Sequence, residues 1–134
     1  MREILFRGKR VDNEEWVEGI YYPVKYSGFS IPGGIDYYII TCFSGGGKSQ
    51  IQVIPETVGQ FTGLTDKNGV KIFEGDIIKH PKRLFEVFFD DELAGFYPFY
   101  DADNGYGWGV FCNEREVIDN IHDAPELLEK SNET

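Results

Sequence analysis

A chain of 134 residues with 41% hydrophobic and 16% aromatic residues can bury one core without staples, and is too rich in rings to be disordered. Its net charge of −10 is lopsided, with six Lys/Arg against seven Asp/Glu up to Gln60 and seven against sixteen from Phe61 onward. The second half is therefore a poor surface for nucleic acid, whose phosphates must be neutralised by Lys and Arg.

The opening "MREILFRGKRVDNEEW" carries charges through its would-be apolar region, so no signal peptide is expected and the cytoplasm is the expected location. "EILFRGKRVDNEEWVEGIYYPVKY" reads as two strands around a turn at Asp12-Asn13, and "GFSIPGG" then breaks the chain. "IDYYIITCF" has the β-rich character of a central, buried strand. The glycine loop "SGGGKSQ" follows, then "IQVI", which Pro55 ends. In "QFTGLTDKNGVKIFEGDIIKH", Asn68-Gly69 marks a hairpin because both residues tolerate positive φ. Asp66 is placed to accept a backbone N–H near that turn. Gly75 suggests a bulge or bend, and Glu74 and Asp76 are expected on one wet face. "RLFEVFF" and "GFYPFY" are further strands around the acidic turn "DDELA". "DADNGYG" turns into "WGVFC", "EVIDNI" is a last strand, and "DAPELLEKSNET" supports about one helical turn, with Asp123 as N-cap and Pro125 just inside.

About nine short strands with turns every ten residues or so predict an all-β barrel or sandwich. One domain over residues 1–134 is expected; if the glycine loop divides the chain, the modules are residues 1–43 and 50–134. "FRGKRVDNEEWVEGI" and "FTGLTDKNGVKIFEGDI" echo each other, which common turn chemistry explains more simply than duplication.

The motifs that invite chemistry fail on inspection. "GGGKS" lacks the first glycine of a phosphate loop, whose position is Cys42, and the β-branched "QIQVIPE" after it starts no helix to hold an anion. "DADNG" has Tyr106 where a calcium loop needs Gly and Cys112 where it needs Glu. His80 and His122 lack a partner at metal-ligand spacing, and two distant cysteines make neither a disulfide scaffold nor a zinc site. No cofactor, metal or catalytic residue is expected. The aromatic cluster Phe96, Tyr97, Phe99, Tyr100, Tyr106 and Trp108 stands out instead. Pro98 suits an edge or a bulge, so these rings are either core or the anchors of an interface.

"ETVGQFTGLTDKNGVKIFEGDII", "EVIDNIHDAPELLE" and the opening "FRGKRVDNEEWVEG" together resemble the YopX family of small phage and prophage proteins. The resemblance implies an all-β fold with an SH3-like barrel, a phage or prophage origin, hence the cytoplasm of a bacterial host as the location, and no assigned biochemical role. It carries over no catalytic residues, so Trp16, Gly63, Asp66, Gly69, Glu74, Gly75 and Asp76 arrive as structural markers. The resulting expectation is a single all-β domain containing an SH3-like barrel. Its function is expected to be non-catalytic, binding a protein partner or itself as a homo-oligomer, with no direct contact to nucleic acid or membrane. The alternative is an acidic inhibitor that mimics nucleic acid towards a host nucleic-acid-binding protein.

Overall fold

The computed structural model describes residues 3–25, 35–42, 45–80, 83–92, 94–97 and 115–128. The chain divides into two compact units, Met1–Phe61 and Thr62–Thr134, with the boundary inside one strand.

In the N-terminal unit, β1 (Phe6–Lys9) and β2 (Trp16–Lys25) form a hairpin with Phe6 opposite Gly19 and Lys9 opposite Trp16. The expected turn is present. Asn13 Oδ1 accepts the Glu15 N–H and Glu14 takes the left-handed conformation at φ 60°. β2 pairs with β3 (Ile35–Cys42), and β3 with β4 (Lys48–Gln52), all antiparallel. Alternation puts Tyr21, Ile39 and Ile51 on one face, where Ile39 and Val53 are buried. The rings of Phe6, Tyr21 and Tyr37 run beside them at centroid spacings of 5.4 and 6.1 Å. Gly19 has a specific reason to be glycine: a Cβ there would collide with the Ile40 carbonyl oxygen. The glycine loop joins β3 to β4 within this unit.

β5 (Gly59–Thr65) begins in the first unit beside β1 and ends in the second. In the C-terminal unit it leads to β6 (Lys71–Phe73). β7 (Asp76–His80) is flanked by β8 (Arg83–Glu86) and β11 (Glu116–Asn120), and β9 (Phe88–Asp90) pairs with β10 (Gly95–Tyr97). Ile72, Ile78 and Val87 form the buried centre, with Leu64, Phe85 and Val117 packed against them. A single helical turn at residues 126–128 follows β11.

The all-β class is as expected, with eleven strands rather than nine among the described residues. The SH3-like barrel is not found. Among the described residues the strands form three open sheets, ordered β4-β3-β2-β1-β5-β6, β11-β7-β8 and β10-β9, and none of these closes. Closure needs an end strand such as β4 to pair along its length with another strand across the sheet. Past β4 the chain meets the end of β1 in one bridge, Arg10 to Val53, which no ladder continues. Strand periodicity and turn spacing are the same for a barrel and for open sheets, so the sequence pattern left barrel and sandwich open; the barrel was implied by the family resemblance, and the sheet order overturns it.

Candidate partner-binding surface

Two hairpins of the C-terminal unit hold the residues that the sequence marks out, and they do different work. The first joins β5 to β6. Asp66 N–H donates to Val70 C=O and Gly69 N–H donates to Asp66 C=O, enclosing a three-residue loop, Lys67-Asn68-Gly69. Gly69 sits at φ 82° while Asn68 keeps negative φ, so the turn is one residue longer than the two-residue Asn-Gly turn the sequence suggests. Asp66 is buried and fully employed: Oδ1 accepts the N–H groups of Asn68 (2.8 Å) and Val70 (2.9 Å), and Oδ2 accepts that of Val117 (3.0 Å). Burial pushes this carboxyl up, but the three N–H donors and the Arg115 charge outweigh it and hold it below its ordinary value. Arg115 in turn donates through Nε and Nη2 to Thr65 C=O.

Asp76 corrects an expectation. It lies 1% exposed rather than on a wet face, and its Oδ2 accepts the Phe73 N–H at 2.7 Å. Gly75, at φ 93°, forms a tight turn between β6 and β7 rather than a bulge within one strand. These carboxylates satisfy backbone donors and do not converge on an open cleft. Among the described residues no three His, Cys, Asp or Glu side chains gather where a metal ion could sit. Lys48 and Ser49, after the glycine loop, open strand β4 rather than a helix. His122 lies in the turn after β11, its N–H donating to Asn120 Oδ1. The His80 side chain, Cys112 and the segment 101–105 fall outside the described residues.

The second hairpin is β9–β10. Val87 is drawn into the core by Gly75 N–H donating to its C=O and by its own N–H donating to Asp76 C=O, so the chain leaves the core at Phe88. Asp90 Oδ1 accepts the Glu92 N–H and Ala94 takes φ 54°, which turns the chain back. Register then sets Phe96 opposite Phe89 and Tyr97 opposite Phe88. The first pair meets edge-on at 5.2 Å and the second stacks at 4.9 Å. Neighbouring residues of a strand point to opposite faces, so each face of the ribbon carries one ring pair. Phe88 is 39% and Phe89 41% exposed. On the Tyr97 side, Phe85 lies 6.3 Å away and ties the ribbon to the core.

Of the six rings singled out in the sequence, Phe96 and Tyr97 lie on this ribbon, one on each face; Phe99, Tyr100, Tyr106 and Trp108 lie outside the described residues. Phe88 and Phe89 were missed as surface residues because "RLFEVFF" reads as one strand. Two adjacent Phe residues were the available signal, since a strand sends them to opposite faces.

The arrangement defines a small β-sheet protein whose acids and glycines build turns and which exposes two adjacent rings, Phe88 and Phe89, on one ribbon. The chain belongs to the YopX family, whose model matches residues 5–129. It is also similar to the crystal structure of protein EF1440 from Enterococcus faecalis, at 27% identity over 96% of this chain and 99% of that one, with a TM-score of 0.54. No curated protein matches it. Among the described residues, no helix is long and apolar enough to cross a membrane.

Proposed function

We propose that this chain is a non-catalytic interaction protein of phage or prophage origin that uses the β9–β10 ribbon to bind a protein partner or a second copy of itself. The observation that carries this reading is the exposure of Phe88 and Phe89 on opposite faces of a two-stranded ribbon. Such a ribbon is marginal by itself and gains from being covered, and aromatic side chains are the usual energetic centres of interfaces. Light scattering across a concentration series tests self-association, and a pull-down from host and infected-cell lysates tests a partner. Phe88→Ser with Phe89→Ser is expected to abolish whichever association the unaltered protein shows. Association that survives both changes would remove the ribbon from consideration.

The acidic second half supports the other reading, a nucleic-acid mimic that occupies a basic partner. Salt separates the two. A complex held by charge weakens steeply as ionic strength rises, and one held by rings does not.

A further inference from the structure

The N-terminal unit holds a cleft of about 320 Å³ lined by Arg10, Val11 and Asp12 on one side and by Ser49–Gln52 of β4 on the other. β4 is the terminal strand of its sheet, so among the described residues no strand pairs with this edge. The phase of the β3–β4 ladder fixes what the edge presents. Val53 N–H donates to Tyr37 C=O at 2.8 Å, and bonding alternates along an antiparallel pair. Ile51 and Ser49 therefore exchange hydrogen bonds with β3, while the N–H and C=O of Gln50 turn the other way, towards the cleft. At Gln52 the same outward side is used: its C=O accepts the Val11 N–H at 3.1 Å, which closes that end of the cleft. The far wall is held by Arg10, whose Nε and Nη2 donate to both carboxylate oxygens of Asp12. The apolar lining comes from half-buried Ile51 and from Val11, 51% exposed.

We infer that this cleft takes an extended segment of a partner protein, added as a strand to the outer edge of β4. The outward donor and acceptor of Gln50 are the complement of one residue of an extended backbone, and strand addition is a recurring mode of peptide recognition. Walls on both sides suit a single narrow segment rather than the edge of a second folded sheet. By the alternation of the pleat, the segment carries an apolar side chain on the Ile51 face and polar ones on the Gln50 face. This surface is separate from the aromatic ribbon, and either one can fail without the other.

An array of peptides of about seven residues, alternating apolar and polar positions, tests the assignment on the full chain. Bound members are then mapped by amide chemical shifts and compared with copies N-methylated at the central residue. Shifts confined to residues 10–12 and 49–52, with affinity falling roughly tenfold on N-methylation, are expected for one backbone hydrogen bond at the edge. Gln50→Pro removes the outward N–H but no β3–β4 bond, so the fold should persist and binding should be lost. No binding by any peptide, shifts elsewhere, or indifference to N-methylation would overturn the inference. The N-methylated peptides decide the matter on the unaltered protein if the proline variant does not fold.

Discussion

The β5–β6 and β9–β10 hairpins belong to the same chain and follow opposite rules. In the first, side chains serve the backbone: Asp66 accepts three N–H groups and Gly69 supplies the left-handed residue. In the second, the backbone serves side chains, holding four rings in two cross-strand pairs with two of them still substantially exposed. A polar residue at the first hairpin therefore bears on stability, and an apolar residue at the second bears on the association proposed for this protein. Loss of the first should unfold the molecule, whereas loss of the second should leave it folded and alone.

The largest expected effect is at Asp66. Asp66→Ala strands three backbone donors, two in the turn and one on β11, and should cost about 3 kcal/mol in urea unfolding. Asp66→Asn keeps an acceptor for the turn and should cost less. Equal costs would mean that the Val117 bond, not the turn, carries the effect. Gly69→Val comes next. No atom lies within 4 Å of its Cβ position, so the cost is backbone strain alone, about 2 kcal/mol. A neutral result would show that the loop can relax to another turn type.

At the other hairpin, Phe89→Ser removes one edge-on ring contact from an exposed site and should cost about 1 kcal/mol or less, read by the same urea titration. A larger loss would make the ribbon part of the core and dissolve the contrast. The smallest effect is a pH dependence. The folded Asp66 carboxyl lies below its ordinary value, so its stabilisation is fully present above the unfolded-state value and fades as pH falls through the folded one. The gap in urea midpoint between the unaltered protein and Asp66→Asn should therefore narrow on acidification below the usual carboxylate range. A gap that is constant with pH would mean that the charge of Asp66 contributes nothing to folding.

Local rules were legible in the sequence, and pairing between distant segments was not. Alternating β-branched and aromatic runs, the breaks at glycine and proline, the Asp66 turn and the positive φ of Gly69 all follow from preferences that act over a few residues. Tertiary structure decided the rest. The Asn-Gly turn gained a third residue because the Asp66 carboxylate bonds both Asn68 and Val70 and so selects the longer loop. Asp76 was drawn inside because its carboxylate caps the Phe73 N–H at a tight turn, which outweighs the alternation that predicts a wet face. Phe88 and Phe89 reached the surface because Val87 is bonded into the core on both sides of its peptide unit and the strand ends there. Whether the sheets close depends on pairing between strands far apart in sequence, and one bridge between Arg10 and Val53 is too little to close a barrel. Hydrogen-bond registry between such strands is set by the packing of the whole unit, and no short stretch of residues encodes it.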